Sequence, residues 1–372
     1  MSILIFLGVL FALVLVHELG HFAVAKWTGM RVDEFGIGFP PRLFGVRKGE
    51  TEYTLNLFPI GGFVRIFGEN GDEAGGEVND DGASSVPSDG GRSFTDKSRW
   101  AQAAVLVAGI TMNILFAWLL ISAAFAMGVE TSVDESEAGP GARLVVLNVL
   151  PESPAASALD AGDVIESASA GGESIESPTP SAFSEFIGRH GDEAVTLAYR
   201  RGSERGIAEV TPKAGVVSAE ASRPAIGVSL SMVEKERRAV GAAIVDGFTY
   251  TFTSLKETAL GIGGLLYDAI RGRADLSQVA GPVGIVGLVG QASAYGLSAL
   301  LMFTAFISLN LAVINILPFP ALDGGRLLFV AIESVKGSPI PARYAGIVNA
   351  IGFVLLIALM VVITVHDVSK LI

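Results

Sequence analysis

Residues 1–26 read MSILIFLGVLFALVLVHELGHFAVAK, and this stretch decides what kind of protein the chain is. No charged residue occurs in its first sixteen positions, and the apolar pattern resumes between His21 and Lys26. A run of this length is sufficient for one helix to cross the hydrocarbon core of a bilayer. A secretory signal peptide is the alternative, but the stretch lacks the basic N-terminal region and the small-residue cleavage site of such a peptide. We therefore predict a retained transmembrane helix.

The composition of the whole chain agrees with a membrane protein. Half of its 372 residues are hydrophobic, only 17% are charged, and the mean hydropathy is +0.53, whereas soluble proteins carry about a quarter charged residues. The chain has no cysteine, which excludes a disulfide scaffold, a cysteine nucleophile and any metal site built on cysteine. The formal net charge of -12 argues against a nucleic-acid partner, because binding to phosphates requires a surplus of Lys and Arg.

Four transmembrane helices are predicted in total. The three stretches that follow the first are also long and apolar enough to span: Ala101–Val129, Leu297–Leu322 and Ala345–Val365. Residues 239–272 are amphipathic, and their charges leave uncharged pieces that are too short to cross, so we predict interfacial helices there. Residues 276–296 are apolar and rich in glycine, and the sequence leaves open whether they are re-entrant, interfacial or a further crossing.

The predicted organisation is a membrane core interrupted by one extramembrane domain. The N-terminal core, residues 1–128, contains the first two spans, a segment of strand and turn residues at 31–67 and an acidic loop at 69–98. Residues 129–238 are soluble in composition, with short β-rich runs, and are predicted to form a compact domain. Residues 239–372 form the C-terminal membrane core with the last two spans.

The basic residues near the ends of the spans predict the orientation. They cluster on one side of the membrane: Lys26, Arg31, Arg92, Lys97, Arg99, Arg326, Lys336 and Arg343. The positive-inside rule therefore places residues 26–99 and 323–344 in the cytoplasm and the inserted domain outside it. The predicted location is the inner (cytoplasmic) membrane, which the chain crosses several times.

The first span contains a metal-binding pattern. His17-Glu18-Leu19-Gly20-His21 matches H-E-x-x-H, in which two histidines on one face of a helix bind Zn²⁺ and the glutamate acts as general base. A chance pentapeptide on a helix surface is the alternative, but ionisable groups are costly at this depth and are usually functional. A catalytic zinc normally has three protein ligands and one open position.

Asp323 is the candidate for the third ligand. It lies at the predicted cytoplasmic end of the third span, the same side of the membrane as His17 and His21. The other two histidines, His190 in the inserted domain and His366 at the far end of the last span, are interpreted as ordinary surface residues.

Asn315 lies about two helical turns before the candidate ligand Asp323. Its amide could orient a substrate carbonyl or stabilise the oxyanion formed from it. A hydrogen bond between helices is the alternative role.

Several motifs together resemble the site-2 protease family of intramembrane zinc metalloproteases, in its bacterial regulator-of-sigma-E protease branch. They are His17-Glu-Leu-Gly-His21, Phe58-Pro-Ile-Gly-Gly-Phe-Val64, Ala108-Gly-Ile-Thr-Met-Asn113, Gly281-Pro-Val-Gly284 and Asn315-Ile-Leu-Pro-Phe-Pro-Ala-Leu-Asp-Gly-Gly325. The resemblance covers nearly the whole chain.

This resemblance implies one Zn²⁺ per chain, held by His17, His21 and Asp323, with Glu18 as the base. It implies that residues 31–67 form a membrane-associated β-hairpin that holds the substrate in extended form by edge pairing. Asn315, Asn113, Gly61 and Gly62 are the candidates for substrate binding or for the oxyanion. The implied substrates are single-pass membrane proteins in the lipid bilayer, such as anti-sigma factors or remnant signal peptides.

The resemblance also implies a PDZ domain outside the cytoplasm. Val145–Val149, Ser153-Pro-Ala-Ala156 and Ala161-Gly-Asp-Val-Ile165 resemble such a domain, and residues 129–238 have room for one. An unrelated small β-rich module is the alternative.

Two other function classes are weighed against the protease. A PDZ-bearing membrane scaffold with an inactive metal site would not need Glu18, which is present. A metal transporter would be expected to show an internal repeat or a second polar half, and the sequence shows neither.

Overall fold

The computed structural model describes residues 1–69, 90–202, 204–216, 223–273 and 279–369. The chain divides into two compact units, which we call the helical unit (Met1–Ala123 with Val240–Ile372) and the inserted unit (Ala124–Ala239). Most of the predicted acidic loop, residues 70–89, lies outside the described residues.

The described residues form eight helices and nine strands. The helices are α1 Ser2–Trp27, α2 Arg99–Met127, α3 Pro180–Arg189, α4 Val240–Ile270, α5 Pro282–Ala294, α6 Leu297–Ile316, α7 Asp323–Lys336 and α8 Ala342–Ser369. The strands are β1 Val32–Lys48, β2 Thr51–Ile66, β3 Val129–Val133, β4 Arg143–Val149, β5 Val164–Ala170, β6 Glu173–Glu176, β7 Val195–Arg201, β8 Glu204–Val210 and β9 Val228–Glu236.

Four of the described helices are long and apolar enough to cross a membrane, which is the number that the sequence predicts. They are α1, α2, α6 and α8. The intervening α5 has only 13 residues, fewer than the roughly 20 that a crossing helix needs. A length of 13 residues is typical of a buried, re-entrant or interfacial helix.

The third span is shorter than predicted. The sequence predicts a helix from Leu297 to Leu322, but α6 ends at Ile316 and Asp323 is instead the first residue of α7. Pro318 disfavours helical geometry at Leu317, whose ψ angle of 138° is extended, and neither Pro318 nor Pro320 has an N–H to donate. The helix therefore ends almost two turns before the predicted end at Leu322, and a loop connects it to Asp323.

Residues 239–272, where several interfacial helices are predicted, form one continuous helix, α4. It runs for 31 residues because no proline interrupts its backbone hydrogen bonds. Its buried positions are small or polar: Ala243, Gly247, Thr251 and Thr258. Trp118 Nε1 on α2 donates to the Ile244 carbonyl at 2.9 Å, which attaches the start of α4 to the second span.

Strands β1 and β2 form a separate two-stranded sheet that packs on α1. The pairing is more complex than that of a simple hairpin, since Gly36 on β1 lies opposite both Phe63 and Thr54 on β2. Gly61 has a φ angle of +106°, which favours glycine, and a Cβ there would lie 2.7 Å from the Phe39 ring. The sheet therefore folds back on itself and presents the end of β2 toward α1.

The inserted unit is a seven-stranded sheet in the order β3-β9-β4-β5-β7-β8, with β6 paired to β5. Its neighbouring strands pair antiparallel. Helix α3 covers the sheet, because Phe183, Phe186 and Ile187 recur at helical spacing and are buried against it. The hydroxyl of Thr179 caps the first turn of α3 by accepting from Ala182 N.

A partly buried ion pair links Arg201, the last residue of β7, to Asp163, the residue before β5. Arg201 donates from two nitrogens to the two carboxylate oxygens of Asp163, each at 2.7 Å, and the Asp163 side chain is fully buried. The backbone N–H of Asp160 also donates to Asp163. The Asp163 carboxylate raises the pKa of the Arg201 guanidinium above its usual range, so the guanidinium keeps its positive charge at all ordinary pH values.

Arg201→Met is expected to destabilise the inserted unit by about 2 kcal/mol, because it leaves the Asp163 carboxylate buried without its cation. The matched control is Arg205→Met, which removes an exposed arginine paired with Glu166 and should cost under about 0.5 kcal/mol. Proteolysis of the inserted unit in increasing urea measures both values. Equal midpoints for the two variants would contradict a structural role for the Asp163–Arg201 pair.

Candidate metal centre

Helix α1 places two imidazoles side by side. His17 and His21 are four residues apart, so they lie on one face of the helix, with ring centroids 4.7 Å apart. Their Nε2 atoms are separated by 3.1 Å. The side chains are 12% and 11% exposed, so both rings are largely withdrawn from solvent.

Asp323 reaches the same point from the start of α7. Its Oδ2 lies 3.1 Å from His17 Nε2 and 3.4 Å from His21 Nε2. The two glycines that follow make this approach possible, because a Cβ at Gly324 would lie 2.3 Å from the Ile316 carbonyl oxygen and one at Gly325 2.2 Å from that of Phe319. The Gly-Gly pair therefore lets α7 begin directly against the loop that leaves α6.

The three facing atoms fit a zinc ion. Ligand atoms held at 2.0–2.1 Å from a tetrahedral Zn²⁺ are roughly 3.3 Å apart, and the three separations here are 3.1, 3.1 and 3.4 Å. Asp323 Oδ2 is buried and has no hydrogen bond of acceptable geometry within the described part of the chain. Two nitrogens and a buried, unpaired carboxylate oxygen that converge on one point are a donor set for a cation.

The remaining nitrogens of the two rings face helix α2. His21 Nδ1 donates to the Val105 carbonyl at 2.8 Å, which leaves the lone pair of His21 Nε2 available to a metal ion. His17 Nδ1 lies 3.2 Å from the Asn113 amide nitrogen, and Asn113 is completely buried. Between these contacts Gly109 faces the rings, since a Cβ there would lie 2.4 Å from His21 Nε2 and 2.8 Å from His17 Cε1.

The contacts made by Val105 and Gly109 are not apparent from the sequence. Residues 105, 109 and 113 are spaced four apart, so they share one face of α2. The sequence does contain one signal for this face. Gly109, a small residue, is followed one helical turn later by the polar Asn113 within an apolar stretch.

Glu18 lines cavities on both sides of the ligand cluster. One cavity is bounded by the end of β2 and by the ion pair of Arg326 with Glu69, which sequence reasoning did not single out. The other cavity contains Asn315, and Asn113 also contributes to its wall. Glu18 thus lies beside the candidate metal ligands and also lines space that water or a peptide can occupy.

The two glycines predicted to bind substrate lie beside Glu18. Gly61 and Gly62 line a narrow cavity with Glu18, Phe35 and Ile37. A Cβ at Gly62 would be 3.5 Å from Glu18 Cγ, so the end of β2 approaches α1 closely at this point. The structure therefore brings all the predicted site residues into the walls of the three cavities that Glu18 lines.

His190 was interpreted as a surface residue, and this is wrong. It is 8% exposed, its Nδ1 donates to the Phe186 carbonyl at 2.9 Å, and its ring stacks on that phenylalanine. His190 ends α3, where the free carbonyls of the last turn accept such a donor. Its role is therefore to cap a helix in the core of the inserted unit.

Gly109→Ala is expected to lower zinc affinity by about ten- to a hundredfold, because the added methyl group would displace both imidazoles. Competition with a chelator on the protein in detergent measures this affinity. Gly8→Ala in α1 is the matched control, since no atom lies within 4 Å of a Cβ at that position. Wild-type zinc affinity in Gly109→Ala would show that the rings do not need the space.

Comparison with solved structures finds a local similarity. A region covering 24% of this chain is similar to 86% of the PDZ domain of an SdrC-like protein from Listeria monocytogenes, with 25% identity and a TM-score of 0.20.

Comparison with sequences covers almost the entire chain. A relative from Clostridium perfringens is 36% identical over 96% of this chain and 95% of its own length. The zinc metalloprotease RasP of Geobacillus kaustophilus is 31% identical over 99% of this chain and 98% of its own length. The regulator of sigma-W protease RasP of Bacillus subtilis is 28% identical over 100% of this chain and 99% of its own length.

The model of Peptidase family M50 matches residues 5–359. This match includes both histidines of α1 and the start of α7. The chain therefore belongs to Peptidase family M50, the site-2 protease family, which confirms the predicted resemblance and the predicted class of zinc metalloprotease.

Proposed function

We propose that this protein is an intramembrane zinc endopeptidase that hydrolyses peptide bonds within the transmembrane segments of single-pass membrane proteins. The observation that carries the proposal is the triangle formed by the candidate ligand atoms of His17, His21 and Asp323. Both histidines and the neighbouring Glu18 lie on α1, a helix apolar enough to span the membrane. One zinc ion per chain is the proposed cofactor, and the three residues are its proposed ligands.

The proposed chemistry assigns Glu18 the role of general base. Bound zinc would polarise the scissile carbonyl and acidify the attacking water. Glu18 takes the proton from that water and later delivers it to the leaving amine. Asn315 lines a cavity together with Glu18 and Asp323, and its amide would donate to the carbonyl oxygen as negative charge develops there.

The β1–β2 sheet is proposed to hold the substrate. A transmembrane helix hides its carbonyls in i to i-4 hydrogen bonds, so cleavage requires an extended conformation. Phe63 and Val64, near the end of β2, line the same cavity as His17 and Glu18. An unwound substrate segment added along this edge would carry its backbone past the base.

The family supports the proposed substrate class. Relatives include a regulator of sigma-W protease, and the site-2 protease resemblance points to anti-sigma factors and remnant signal peptides.

The distribution of Lys and Arg supports a multi-pass location in the inner (cytoplasmic) membrane, with the active site toward the cytoplasm.

Residues 129–238 are proposed to be a PDZ domain that restricts access from outside the cytoplasm. The support is a β-rich unit with one packed helix, and a groove between α3 and the start of β9 lined by Phe183, Ile187, Ile226 and Val228. The two flanking regions, 1–128 and 239–372, are proposed to be the halves of one membrane core.

The proposed function is tested by reconstituting the purified protein with a single-pass substrate. We expect one zinc per chain and fragments whose new termini lie inside the apolar segment of the substrate, as measured by mass spectrometry. Cleavage confined to the soluble part of the substrate would refute the intramembrane assignment. A zinc-loaded protein that cleaves no substrate would favour the alternative function, a PDZ-bearing membrane scaffold with an inactive metal site.

Replacing residues 130–238 by a flexible linker is expected to preserve cleavage of a substrate with a short ectodomain. It should increase cleavage of a substrate with a long ectodomain, because the candidate zinc ligands and the base all lie outside this segment. Rates for the two substrates, measured side by side, give the selectivity. A folded, zinc-loaded deletion protein that cleaves neither substrate would show instead that the inserted unit helps to build the site.

A further inference from the structure

We propose that Asn113 is a positioning residue that accepts a hydrogen bond from His17 Nδ1–H and thereby directs His17 Nε2 at the metal. This inference rests on the proposed zinc site and assigns to Asn113 a role other than the predicted contact with substrate. The starting observation is the 3.2 Å separation between the Asn113 amide group and His17 Nδ1, on a residue that is completely buried.

The tautomer of His17 decides which atom of the amide must face it. A neutral imidazole has one protonated nitrogen and one with a lone pair. Ligation through His17 Nε2, the atom that faces Asp323 and His21, requires the lone pair there and the proton on Nδ1. Nδ1–H is then a donor, so its partner must be an acceptor, and the acceptor of the amide is its oxygen.

The amide is free to present that oxygen. As placed, the nitrogen faces the ring, but the two orientations of an asparagine amide are nearly indistinguishable in shape. Asn113 Oδ1 has no hydrogen-bond partner among the described residues, so no donor holds it in its present position. A half-turn of the amide exchanges the two atoms and gives Nδ1–H its acceptor.

The backbone around Asn113 is fixed by packing. The buried Ser308 on α6 donates its hydroxyl to the Asn113 carbonyl at 2.8 Å. On the other imidazole, the Val105 carbonyl performs the same task for His21 Nδ1. Both ligand rings are therefore oriented from one face of α2, at points two helical turns apart, and such outer contacts of ligating histidines set ring orientation and basicity.

The experiment compares zinc affinity in Asn113→Leu and Asn113→Asp by chelator competition on the full-length protein in detergent. Leu has neither donor nor acceptor, so affinity should fall by about ten- to a hundredfold. Asp keeps an acceptor but has no amide N–H, so affinity should stay within about threefold of wild type, because carboxylate–histidine–zinc arrangements are common. Asn310→Leu is the control, since the Asn310 amide donates to the Phe306 carbonyl of its own helix.

Two readouts separate positioning from a general structural role. The zinc-free melting temperature of Asn113→Leu should stay close to that of wild type, and the absorption spectrum of bound Co²⁺ should change in Leu but not in Asp. If Asn113→Leu does not fold, Asn113→Ala is read in the same way. Wild-type affinity in the folded Leu or Ala variant, or equal losses in Leu and Asp, would overturn the proposal.

His17→Ala distinguishes this inference from the proposed function. If His17→Ala loses zinc while Asn113→Leu keeps wild-type affinity, the positioning role alone is refuted. If His17→Ala itself binds zinc as tightly as wild type, the proposed zinc site is refuted, and the role of Asn113 with it.

Discussion

Glu18→Gln is expected to retain zinc at wild-type occupancy and to reduce cleavage of a transmembrane substrate by about 10²- to 10⁴-fold. Gln has nearly the same shape as Glu but cannot accept the proton of the attacking water. The residue lines the cavities on both sides of the ligand cluster and is not a member of that cluster, so the metal should remain bound. Zinc content and single-turnover cleavage, measured on the same preparation, separate binding from chemistry.

The control for this variant is Glu257→Gln, which removes an exposed acid on α4 and should change neither zinc content nor rate. Activity of Glu18→Gln within tenfold of wild type would remove Glu18 from the role of base. Loss of zinc in Glu18→Gln would instead place Glu18 among the ligands.

Asp323→Asn is the second change with a large expected effect. Zinc affinity should fall at least about a hundredfold and activity should collapse with it, because the charged oxygen that faces both imidazoles is replaced by a neutral amide. Asp323→Glu should keep more of the metal than Asn does, since the charge remains, but the extra methylene group spoils the geometry for catalysis. Equilibrium dialysis against a chelator gives the affinities.

Asp268→Asn on α4 is the matched control, because it removes an exposed carboxylate at a distance in sequence from the motif. If Asp323→Asn holds one zinc per chain as tightly as wild type, Asp323 is not a ligand. The third ligand would then have to come from another residue near His17 and His21.

The two candidate ligands on α1 could be predicted from the sequence because their relationship is local. The spacing of His17 and His21 places them on one face of any helix that contains them, and the uncharged run before them predicts a span. The β-rich character of residues 31–67 follows in the same way from short-range pattern. The number of helices long and apolar enough to span a membrane was also predicted from hydropathy alone.

The position of Asp323 required the tertiary structure. The sequence identified the residue but extended the third span to Leu322, and in the structure Asp323 instead opens a new helix after a loop. The loop returns Asp323 to the histidines because prolines end α6 and the Gly-Gly pair removes the side chains that would block the close approach. Its distance of 3.1 Å from His17 is therefore a result of packing.

The sequence by itself determined the family, the long apolar helices and the placement of the two histidines on one helix face, since each depends on residue types at short separations. The tertiary structure alone decided that Gly109 and Asn113 of α2 face these histidines, and that β2 folds back so that one end lies against Glu18. These contacts join residues from about 44 to 96 positions apart, where pairing is set by side-chain packing and strand register between elements. No local pattern encodes these contacts. If α2 packed one turn out of place, or if β2 paired one residue out of register, the sequence motifs would be unchanged but the site would not form.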